Sequence, residues 1–170
     1  MTFSPRVRRV ALTAHVSASV GWLGAVFGAL VLAIAARFTA DDSATRSMFV
    51  ALDVLARFGL VPLAAAALLT GVLMSLGTSW GLVRHYWVVV KLGLTLAATL
   101  VLLAYTGTLS ALSETASAPP SSPDAALLRT NSVIIHSVGA LVVLFVANVL
   151  AVFKPRGLTR YGWRKSRQPG

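Results

Sequence analysis

Cysteine is absent from the 170-residue chain, which excludes disulfides, thiolate metal sites, iron–sulfur ligation and covalent c-type haem attachment. Charge is scarce: 12% of residues are charged, against 56% hydrophobic. Mean hydropathy is +0.79, outside the range of a soluble domain of this length, so the chain reads as an integral membrane protein. Period-2 alternation, the mark of barrel strands, is missing too. There is no convincing internal repeat, only an echo of Ser19-Val20-Gly21 in Ser137-Val138-Gly139. Backbone groups in hydrocarbon must then find partners within their own segment, which leaves helices.

Four apolar runs are present, at residues 10–36, 58–76, 87–112 (broken only by Lys91) and 133–153. Each approaches or exceeds the ~20 residues needed to cross a ~30 Å hydrocarbon core. The predicted fold is all-α: an integral membrane four-helix bundle with one four-span domain over 1–155 and a basic tail over 156–170. The formal charge of +10 raises nucleic acid as a partner, but the placement of the cations argues otherwise. Arg6, Arg8 and Arg9, Arg84, and Lys154, Arg156, Arg160, Arg164, Lys165 and Arg167 all fall on one side if the spans alternate. That is the positive-inside pattern, with N and C termini cytoplasmic. The tail is expected on the cytoplasmic lipid surface, and no nucleic acid need be invoked. Ala33-Ile34-Ala35 mimics a signal-peptide cleavage site, yet the 27-residue run holding it exceeds the ~7–15 residues of an h-region, so the first span is expected to be retained.

Between the spans, ARFTADDSATRS reads as an outward polar loop and SETASAPPSSPDAA as a disordered one. Asp53 and Arg57 stand four apart on an amphipathic lead-in, a spacing that pairs charges on a helix surface. Lys154-Pro155 ends the fourth span. Trp80 and Trp87 fit an aromatic belt at the boundary. A GxxxG pattern, with Gly21, Gly24 and Gly28 on one face of the first span, is expected to press on a neighbouring helix.

Ionisable side chains within spans are expensive, ~2.5–3.5 kcal/mol at the centre, so each is a functional candidate. At 1.5 Å per residue, His15 and Lys91 lie about 12 Å from the middle of their spans on the same side, and His136 about 10 Å on the other. Two ligands of one metal must both come within ~2 Å of it, so His15 and His136 are not expected to share one. His15 and Lys91 can face a common polar pocket, with Trp22 on the histidine's face of the helix. Lys91 can equally snorkel to the interface, and each histidine can equally be satisfied by a serine or a carbonyl. Met48 and Met74 are too isolated for a soft copper site.

His15-x6-Trp22 in the first span, Trp87-x3-Lys91-Leu92 opening the third, and a fourth span closing on Phe153-Lys154-Pro155 resemble the HemJ-type protoporphyrinogen oxidases, small membrane proteins that bind haem b. The pattern is also similar to the wider CopD-like group. SVGWLGA and RHYWVVVKL look like an uncharacterised, mostly actinobacterial branch. The resemblance implies a bacterial plasma (inner) membrane protein with haem b as cofactor. It implies His15 as axial ligand, Trp22 and Trp87 as pocket walls, and Lys91 as partner for a propionate or substrate carboxylate. ALVLAIAA stands where the oxidase-like proteins carry an arginine, so the expectation is haem binding in a redox or porphyrin-related process rather than a named reaction. The alternatives are a copper-handling membrane protein and a non-catalytic membrane subunit. Besides the lipid bilayer, a homo-oligomer or a partner membrane protein is compatible with this reading.

Overall fold

The computed structural model describes residues 3–78, 81–119, 122–155 and 157–166, and so leaves Trp80, Arg156 and Arg167 outside. Among these residues there is no strand, and four helical stretches are long and apolar enough to cross a membrane. The chain is an all-α, multi-pass membrane protein.

The first helix, α1 (Pro5–Phe38), starts where Ser4 accepts a hydrogen bond from the Val7 amide and Pro5 occupies the first turn, a placement that wastes no helical donor. It stops at Thr39, and α2 (Asp42–Leu55) begins at once because the Asp41 carboxylate accepts from the amides of Ser43 and Ala44 at 2.8 and 3.3 Å. The polar stretch expected as a loop is therefore mostly helix. One wide π-helical turn, Ala56–Leu60, joins α2 to α3 (Val61–Leu76); the Val61 N–H bonds the Ala56 carbonyl five residues back. The turn has a packing reason. Leu52, Ala56, Leu60 and Ala64 are buried at every fourth position, a spacing that drifts round an ordinary 3.6-residue helix but stays inward across a π turn.

The next span, α4 (Tyr86–Ser117), continues well into the stretch expected to be disordered. Its last carbonyls are satisfied by Arg46, whose Nη1 donates to Thr115, Ala116 and Ala118 at 3.3, 3.0 and 2.7 Å. A 3-10 turn, Pro123–Arg129, follows and buries Leu128 in the core. The chain returns through α5 (Ser132–Phe153), which ends with Lys154 in the left-handed conformation at φ 43°.

Helix α1 packs against α2, α3 and α5, and α4 packs against the same three, so α1 and α4 face each other across the bundle. The two ends differ. One carries Asp41, Asp42, Asp53, Glu114 and Asp124, all the acids of the chain, and is tightly closed. There Arg129 bonds Asp42 and the Thr39 carbonyl, Arg37 bonds Asn131, and the expected Asp53–Arg57 pair forms at 3.0 Å with the Ser110 hydroxyl bridging it. The other, basic end holds Phe3 and the described residues that follow Phe153, and opens into a cleft.

The inward face of α1 is Ala18, Trp22, Val26, Ala29, Ala33 and Ala36. This corrects the glycine expectation: a Cβ added at Gly24 or Gly28 would meet nothing within 4 Å, and only Gly21 touches a neighbour, Leu63. Small side chains do set the helix approach, but they are the alanines of α1 and α3.

The start of the tail is held against the bundle. The Tyr86 amide donates to the Gly157 carbonyl at 3.3 Å and the Thr159 amide to the Arg84 carbonyl at 3.0 Å, so the strand-like segment before α6 (Arg160–Ser166) is pinned to the α3–α4 turn. Gly162 sits against the Arg84 carbonyl, where a Cβ would collide with backbone. Gly162→Leu is therefore expected to release α6, giving rapid trypsin cleavage after Arg160 while circular dichroism of the four spans is unchanged.

Candidate functional site

Each of the four spans sends polar side chains into the middle of the basic half: His15 and Ser19 from α1, Thr70 from α3, Lys91 and Thr95 from α4, and Asn148 from α5. The hydrogen bonds among them fix a proton arrangement. Lys91 Nζ lies 3.2 Å from His15 Nε2; with Lys91 as an ammonium, which can only donate, Nε2 is the acceptor. The imidazole proton is then on Nδ1, which donates to Thr70 Oγ1 at 3.0 Å. Thr70 is free to accept because its own proton goes to the Ala66 carbonyl, 2.6 Å away and four residues back on the same helix. Beneath the ring lies Gly71, whose added Cβ would come within 3.1 Å of His15 Cε1. The ring is held in orientation by a hydroxyl on one side and a bare backbone below.

Around this centre is a cleft of about 470 Å³, within the ~300–1,000 Å³ of small-molecule sites. Trp87, Leu12 and Val16 contribute apolar wall, and Arg8 and Lys154 stand at the mouth. No aspartate or glutamate is among its described lining residues. Inward, it passes into a cavity of about 20 Å³ that reaches Trp22, Leu144 and Ala147. Trp22 is 2% exposed and closes the inner end.

Of the residues singled out from sequence, His15, Trp22, Trp87 and Lys91 all border this one space. His136 is elsewhere: its Nδ1 bonds the Ser132 carbonyl at 2.8 Å and its ring stacks on Tyr105 at 3.9 Å, near the acidic end. His85 pairs with Leu158 in the tail contact. Sequence reasoning passed over Thr70, Gly71, Thr95 and Asn148. Two of these carried a signal: Thr95 follows Lys91 by four residues, one helical turn, and Asn148 is an amide in hydrocarbon, where such groups seek interhelical partners.

A metal-bound histidine normally donates its second ring N–H to a fixed acceptor, which Thr70 supplies. Its other nitrogen is aimed into the cleft. Among the described residues no group of three or more His, Cys, Asp or Glu side chains stands together. Lys91, on a flexible four-carbon stem, can swing from Nε2 to an incoming carboxylate. Compared with family models, curated proteins and solved structures, the chain finds no match in any of the three.

Proposed function

We propose that this protein binds haem b in the cleft, with His15 Nε2 as axial ligand and Lys91 neutralising a propionate, and that it serves a redox or porphyrin-related process in a bacterial inner membrane. The observation that carries the reading is the His15 ring, with Nδ1–H committed to Thr70 and Nε2 turned toward a cation-rimmed cleft free of described acids. Bound there, haem would supply one-electron chemistry, its potential tuned by the axial ligand and the surrounding apolar wall. The chain's own part is to hold the imidazole tautomer through Thr70, to keep water from the inner end with Trp22, and to counter carboxylate charge with Lys91. The basic end, with both termini, is assigned to the cytoplasm on the positive-inside rule.

The visible spectrum of protein purified in mild detergent from a haem-replete host tests this. A Soret band is expected, kept in His136→Ala, and Thr70→Val is expected to weaken haem retention by about 10-fold, as loss of an outer-shell partner does. A folded, colourless preparation would return the chain to a non-catalytic subunit, and copper without haem would favour the copper-handling reading.

A further inference from the structure

We infer that the cleft is loaded from the side, out of the bilayer leaflet at the basic end, by a membrane-dissolved amphiphile with a carboxylate head that passes between α1 and α5. The inference rests on the cleft's being a ligand site, as proposed above, and adds the route and the ligand class. Three seams of the basic half are held. Helix α1 is tied to α3 by the Phe3 amide on the Gly77 carbonyl at 3.0 Å, and again by His15 on Thr70. Helices α3 and α4 are joined by a turn that the tail pins. Helix α4 packs on α5, and none of the cleft-lining residues of α4 is exposed, Val88 being only 6% exposed.

The α1–α5 seam is different. Deep in the bundle it is shut by Trp22, Val26, Leu144 and Ala147. Toward the basic end its cleft-lining residues Leu12, Val16, Val20 and Val152 are 47, 49, 60 and 75% exposed. An opening walled by valine and leucine admits an acyl or macrocyclic body from lipid, whereas a water-borne solute would have to shed its hydration against the same apolar walls.

The head is specified by charge. Arg8 on α1 and Lys154 at the end of α5 flank the opening, and no described lining residue is acidic. Arg8 stands seven residues and Lys154 six residues beyond the polar centre along their helices, about 10 Å. A carboxylate held between them leaves its apolar body level with His15 and Lys91.

The test uses the full chain in phosphatidylcholine nanodiscs, with Trp80, Trp87 and Trp163 changed to Phe so that Trp22 alone reports. Dibromostearate added through the lipid is expected to quench Trp22 saturably, while its methyl ester, or the acid with Arg8→Gln/Lys154→Gln protein, needs at least 5-fold more. Because the chain has no cysteine, Val152→Cys carries a single bulky maleimide at the opening, and Val142→Cys, lipid-exposed on the same helix but outside the cleft, carries it as control. Quenching should slow at least 10-fold with the label at 152 and not at 142. Equal rates at the two positions, or equal potency of acid and ester, would overturn the inference. Neither readout uses haem: a colourless protein that still takes up the acid through this seam loses the haem reading alone. Haem binding that is unslowed by the label at 152 removes only the lateral route.

Discussion

His15→Ala is expected to abolish the Soret band that the proposed haem would give the purified protein, whereas Lys91→Met is expected to leave a weakened one. Alanine removes both nitrogens, and no other described imidazole lines the cleft: His136 is bonded to Ser132 and stacked on Tyr105 at the acidic end, and His85 is not among the lining residues. Thr70 is not among the residues lining the cleft. Methionine at 91 keeps an apolar side chain of similar length but loses the ammonium that faces Nε2 at 3.2 Å. Hydrogen bonds to charged groups contribute ~1.5–3 kcal/mol, so haem retention in Lys91→Met should fall by about 10- to 100-fold, read as loss of absorbance per protein on gel filtration. A full-height Soret band in His15→Ala would remove the axial-ligand assignment, and unchanged retention in Lys91→Met would return that lysine to snorkelling.

Trp22→Ala lowers stability by about 3 kcal/mol, the low end of what Trp-to-Ala truncations cost in cores. The low end applies because the reference environment is lipid, as apolar as the bundle interior, so little hydrophobic transfer energy is at stake. What is lost is dispersion contact. Trp22 is 2% exposed and stands where α1 meets Leu144 and Ala147 of α5. Its removal merges the 20 Å³ inner cavity with the space the indole fills. The alanines that let α1 and α3 approach cannot reach into that void. Sodium dodecyl sulfate titration followed by circular dichroism gives the midpoint shift; a change under about 1 kcal/mol would show that the indole is not the packed stopper described.

The four spans and the level shared by His15 and Lys91 were legible because helix rise and hydropathy are simple functions of sequence. The inward face of α1 was not. In a soluble protein hydrophobicity separates inside from outside, but lipid-facing Val20, Phe27 and Val31 are as apolar as buried Val26. Size is the surviving signal, with Ala18, Ala29, Ala33 and Ala36 inward, and the glycine motif obscured it. The loops misled for another reason: polar composition marks contact with water, not coil. Asp41 as a cap and Arg46 on the α4 carbonyls let water-facing residues stay helical, and Arg46 acts across 69–72 residues of sequence, beyond any local pattern. Thr70 was missed likewise, since a threonine in an apolar run gains meaning only from the imidazole 55 residues away.

The wide turn at Ala56–Leu60 amounts to a one-residue insertion in an otherwise continuous helix from Asp42 to Leu76. It acts as a phase shifter. Were it shortened to an ordinary turn with α2 left in place, everything below would rotate by about 100° and rise by about 1.5 Å. Thr70 would turn away from His15 and Gly71 would no longer lie under its ring. The angular setting of the hydroxyl is thus adjusted independently of the packing at the acidic end, by a length change some ten residues from the imidazole's partner and outside the cleft.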